Sequence, residues 1–84
     1  MEVLFFFEEY FQPESTNIAI FNSLLQHENF GAIHDFLGLV DEVGALQTNF
    51  VKRIEKAADD LKKQGKPKEA TRILTAARKA NILT

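Results

Sequence analysis

The chain has 84 residues, is 45% hydrophobic and contains no cysteine. That length holds one domain, 1–84, and excludes a large α/β fold or a second core. Without cysteine there is no disulfide framework, thiolate zinc, iron–sulfur ligation or cysteine nucleophile. The formal charge of −2 hides two unlike halves. Residues 1–42 carry eight Asp/Glu and no Lys or Arg, whereas residues 43–84 carry ten Lys/Arg against four Asp/Glu. Either the halves lie against each other and relieve their self-repulsion, or one pole steers a charged partner.

Segment 2–11 is apolar around nearly its whole circumference: Val3, Leu4, Phe5, Phe6, Phe7, Tyr10 and Phe11. A short apolar run suits a buried strand or a helix equally. A lone strand would have no partner in this chain, so the expectation is a helix ending before Pro13. The run follows no basic stretch and stops at Glu8, unlike a secretory signal. No stretch reaches the roughly 18–20 apolar residues of a membrane span, and a Glu-only polar face does not suit an anionic lipid surface. The expectation is a cytoplasmic protein with no membrane partner.

Gln12–Ser15 reads as a turn. Ser15, Thr16 or Asn17 then caps a helix whose apolar positions are Ile18, Phe21, Leu24 and Leu25. Asn29 caps a shorter helix carrying Phe30, Ile33, Phe36, Leu37 and Val40. Gly31, Gly38 and Gly44 weaken this region, at about 1 kcal/mol each relative to Ala in a helix interior, so a break is expected near Gly38–Asp41.

Val43, Leu46, Phe50, Ile54, Ala57 and Leu61 form one stripe at helical spacing, which predicts a helix over about 43–64. Gly65 stops it, and Lys62 and Lys63 suit the negative end of its dipole. Pro67 opens a final helix over about 68–80, with Ala70, Ile73, Leu74, Ala77 and Ala80 inward. The short connection makes the pair an antiparallel αα-hairpin. Ala57, Ala58, Ala70, Ala76, Ala77 and Ala80 let its axes approach closely. The fold expected is a compact all-α bundle of four to five helices ending in this hairpin.

The run Ala57, Leu61, Gly65, Glu69-Ala70, Ile73-Leu74, Ala77 resembles a single tetratricopeptide-type hairpin over about a quarter of the chain. The pattern occurs once, whereas a solenoid needs about three stacked units. The resemblance implies protein binding by analogy, and a shared way of packing two short helices.

Chemistry-bearing patterns are few. His27-Glu28 and His34-Asp35 stand seven residues apart. On one continuous helix the two His would share a face, but ligand pairs on a helix usually sit three or four apart and Gly31 lies between these. No serine has a nucleophile-elbow context, and Gly65-Lys66-Pro67-Lys68 lacks the spacing of a phosphate loop. We therefore expect no catalysis, metal or cofactor. A basic patch of Lys62, Lys63, Lys66, Lys68, Arg72 and Lys79, with Arg78 nearby, could neutralise phosphates. Against nucleic-acid binding stand a pI near 5.6, the absence of interleaved aromatics, and a hairpin too tight for a helix-turn-helix. The eight N-terminal carboxylates could instead imitate DNA, as small acidic inhibitor proteins do.

The excess of large apolar side chains decides the leading expectation. Phe5, Phe6, Phe7, Tyr10 and Phe11 exceed what an 84-residue bundle easily hides, and an exposed aromatic face marks an interaction site. The expected function is a protein–protein interaction module, an adaptor or regulator/inhibitor, whose partner is another protein or a second copy. Nucleic-acid binding by the basic hairpin and acidic DNA mimicry are the alternatives.

Overall fold

The structure is a computed structural model, and it describes residues 13–84. The helix expected over 2–11 lies outside the described residues. Four α-helices and one 3-10 turn follow in order: α1 (Glu14–Gln26), α2 (Phe30–Val40), the 3-10 turn (Asp41–Leu46), α3 (Thr48–Lys63) and α4 (Pro67–Lys79). The described residues form the expected all-helical bundle with its terminal hairpin.

α1 starts earlier than expected. Pro13 holds an extended backbone (φ −60°, ψ 153°), and its carbonyl accepts from the N–H groups of Thr16 at 3.0 Å and Asn17 at 3.1 Å. Proline presets the first turn, so Ser15, Thr16 and Asn17 are not needed as side-chain caps. Asn17 is instead buried, and its Nδ2 donates to Gln47 Oε1 at 2.8 Å.

α1, α3 and α4 end in the same way. At each C-terminus a residue in the left-handed region reverses the chain, and the next N–H bonds back five positions: Asn29 to Leu24 at 3.0 Å, Lys66 to Leu61 at 2.8 Å and Ile82 to Ala77 at 2.9 Å. The reversing residues are Glu28 (φ 53°), Gly65 (φ 79°) and Asn81 (φ 62°). Glycine takes this conformation without a Cβ penalty, asparagine tolerates it, and Glu28 takes it at a cost.

Asn29 caps α2 as the sequence predicts, its Oδ1 accepting from Ala32 N–H at 3.2 Å. α2 ends at Asp41 (φ 55°), within the expected break. The predicted helix over 43–64 is shorter at its front. Val43 and Leu46 belong to the 3-10 turn, Gln47 leaves helical geometry (φ −96°, ψ 87°), and α3 starts at Thr48. Gly44 explains the detour. A Cβ built there would lie 2.9 Å from Val40 Cγ1 and 3.1 Å from Ile82 Cγ1, so the turn is pressed against the end of α2 and the chain after α4.

α3 packs on α1 and α4, and α2 packs on α1 and α4. α1 and α4 therefore occupy opposite corners. Phe21, Ile33, Leu37, Phe50, Ile54 and Ile73 are the large side chains fully removed from water. Phe50 anchors the centre, meeting Phe21 edge-on at 6.2 Å and Phe36 at 6.2 Å between ring centroids. Each such burial contributes roughly 1.5–3 kcal/mol, and edge-to-face contact adds about 0.5–1.5 kcal/mol. All six alanines predicted to line the hairpin are buried.

Candidate functional site

Two surfaces stand out. The first is apolar: Leu39 is 84% exposed and Leu46 is 83% exposed, both flanking the stretch where α2 gives way to the 3-10 turn. Sequence periodicity places Leu46 on an inward stripe, and the break at Gln47 turns it out to solvent. Leu39 follows Gly38 on the outer side of α2 and carries no signal of its own.

The chain reaches this region through a clasp between α1 and α3. Glu14 Oε2 accepts from the backbone N–H groups of Asn49 at 2.8 Å and Phe50 at 3.3 Å, and Oε1 accepts from Asn49 Nδ2 at 3.1 Å. These are the second and third N–H groups of α3, which a local capping side chain would normally satisfy. Gln47, at the capping position, makes no such bond because it meets Asn17. Pro13 therefore lies at the same end of α3 as Leu46. Phe5, Phe6, Phe7, Tyr10 and Phe11, the predicted partner-binding residues, lie outside the described residues.

The second surface is basic, and the structure divides the predicted patch. Lys66 pairs with Glu28, joining the loop after α1 to the loop after α3. This hydrogen bond and charge contact hold the Glu28 carboxyl below the usual carboxylate range and raise the Lys66 ammonium above the usual lysine value. Lys63 pairs with Asp59 at 3.1 Å, one turn away on α3. The Arg72 guanidinium stands 6.0 Å from the Phe30 ring centroid. Lys62, Lys68 and Lys79 are exposed and have no ion-pair partner among the described residues.

Arg53 makes a comparable but more enclosed contact. Its guanidinium lies 5.9 Å from the Phe21 ring centroid, and its Nε donates to Asn22 Oδ1 at 2.6 Å. It lines an open groove of about 380 Å³ with Asn22, Gln26, Asp60 and Lys66.

The two histidines do not share a helix. His27 ends α1, the chain reverses at Glu28, and His34 lies on α2 with Nδ1 3.4 Å from Asp35 Oδ1. Among the described residues no group of three or more His, Asp or Glu is placed to hold a metal ion. No described helix is long and apolar enough to cross a membrane.

The chain matches no protein-family model, and neither a curated protein nor a solved structure shows significant similarity to it.

Proposed function

We propose that this chain is a small protein–protein interaction module, an adaptor or regulator without catalysis of its own, and that a second copy is a partner it can take. The exposure of Leu39 and Leu46 carries the reading. Burying two leucines in an interface would contribute roughly 1.5–3 kcal/mol each, an incentive for association that a solvated helix face lacks. The clasp at Glu14 brings Pro13 to the same end of α3 as Leu46, and Phe5, Phe6, Phe7, Tyr10 and Phe11 precede Pro13 in the sequence. A cytoplasmic location goes with this reading.

Sedimentation equilibrium tests it. The wild type should be a dimer. Phe6→Ser with Tyr10→Ser should yield a folded monomer, and Leu39→Ser with Leu46→Ser should weaken association with helical content unchanged. A monomeric wild type whose Phe6/Tyr10 variant unfolds would show that the aromatics are core, and the proposal would fall.

A further inference from the structure

The solvent face of α4 differs in kind from that of its hairpin partner. The exposed positions of α3 include Lys52, Glu55, Lys56, Asp59, Lys62 and Lys63, a mixture of signs with an ion pair inside it. That is how a solvated helix neutralises itself. The exposed positions of α4 after Pro67 are Lys68, Thr71, Arg72, Thr75, Arg78 and Lys79, with no carboxylate among them. Glu69, the only acid of α4, is half-buried and adds to the field on Lys66.

Within that face Lys68, Arg72, Thr75 and Lys79 fall at intervals of four, three and four, which places them in one line along the helix. Eleven residues at 1.5 Å each make the line about 16 Å long. Arg78 lies off it, in a groove it shares with Glu55 and Asp59. α1, whose one carboxylate is Glu14, stands at the opposite corner of the bundle, and Asp35, the one acid of α2, lies 3.4 Å from His34. The overall charge of −2 conceals this line, because the exposed face of α4 carries cations without a carboxylate while the chain as a whole has two more acids than bases.

We infer that the α4 line is a docking surface for the phosphate backbone of a nucleic acid, bound without reading its sequence. Three cations along about 16 Å face a polymer whose strand, at one charge per roughly 3.4 Å of axis, presents about five phosphates over that length, enough for each cation to meet one. Thr75 on the line adds a hydroxyl donor of the kind that bonds phosphate oxygens, whereas the Thr71 hydroxyl beside it donates to the Pro67 carbonyl at 3.0 Å. Among the described residues, the aromatic ring in contact with this line, Phe30, lies against the Arg72 guanidinium at 6.0 Å. A lipid surface fits less well, because α4 turns no large apolar side chain fully outward: Ile73 is buried and Leu74 is half-buried. The inference stands apart from the apolar surface, and either can fail alone.

Fluorescence anisotropy with a labelled DNA duplex tests it on the full chain. Three phosphate contacts predict a logarithmic salt slope of about −2.7, an affinity loss of roughly 40-fold between 50 and 200 mM salt. Lys79→Gln alone should shallow the slope by about 0.9. Lys68→Gln, Arg72→Gln and Lys79→Gln together should abolish the slope while circular dichroism stays helical. Lys52→Gln with Lys56→Gln, on the mixed face of α3, should bind like wild type. No binding at 50 mM salt, an unchanged triple variant, or an α3 variant as damaged as the triple would overturn the inference. So would polyglutamate or anionic vesicles displacing the duplex as well as unlabelled duplex does.

Discussion

Glu14→Ala removes the cap of a helix 35 positions away in sequence. The carboxylate satisfies two backbone N–H groups at the start of α3 and one side-chain amide, at 2.8, 3.3 and 3.1 Å. Losing a side-chain cap costs about 0.5–2 kcal/mol, and the charge at the positive end of the α3 dipole contributes about 0.3–1 kcal/mol of that. Asn49 is exposed, so water replaces part of what is lost. The expected loss is about 1–2 kcal/mol for Glu14→Ala and about 0.5 kcal/mol for Glu14→Gln, which keeps an acceptor oxygen. In a domain this small, 1 kcal/mol lowers Tm by about 4–8 °C. Urea unfolding followed by circular dichroism measures the loss. Amide hydrogen exchange locates it, because protection should fall at Asn49 and Phe50 before it falls within α1. Glu14 also lies in the first turn of α1, where a carboxylate suits that helix's own dipole. If stability changes by less than 0.3 kcal/mol, or only α1 loses protection, the inter-helix cap is not what Glu14 supplies.

Three other outcomes follow from single positions. Gly44→Ala should destabilise the fold by about 1–3 kcal/mol by overpacking against Val40 and Ile82, whereas Gly38→Ala, with open space around its Cβ, should stabilise it by about 0.5–1 kcal/mol; urea midpoints of both variants check the contrast. Phe50→Ala should cost about 3–5 kcal/mol, since it empties the centre shared by Phe21 and Phe36; a loss under 2 kcal/mol in thermal unfolding would mean that the ring is not the anchor. Glu28 has a lowered pKa, so its stabilising contribution is complete above the ordinary carboxylate value and is lost as pH falls through the lowered one. Lys66 has a raised pKa, so its contribution is complete below the ordinary lysine value and is lost as pH rises through the raised one. Glu28→Gln should therefore be less stable than wild type at neutral pH and match it in acid, while Glu28→Gly recovers part of the loss by relieving the left-handed backbone.

The hairpin was the most legible part of the chain. Gly65 after Lys63, Pro67 at the start of α4 and the inward alanines are local signals, and each acts within a turn or two of its own position. The same holds for Asn29 capping α2. The start of α3 was not legible, because the Val43–Leu46 spacing continues the helical stripe without a gap. The basic cluster was visible as a composition. Its division into Lys66 held by Glu28, Lys63 held by Asp59 and a line on α4 without ion pairs among the described residues required the helix faces and the loop-to-loop contact.

By itself, then, the sequence determined the helical class, the hairpin and its boundaries at Gly65 and Pro67, because periodicity, caps and chain reversal are set by neighbours along the backbone. Tertiary structure alone decided where α3 begins and which leucine faces water. Gly44 sits against Ile82, Gln47 turns inward and meets Asn17, and the second and third N–H groups of α3 are satisfied by Glu14. Those partners lie 30 or more residues apart, and no local pattern encodes a contact that exists only once the helices have packed.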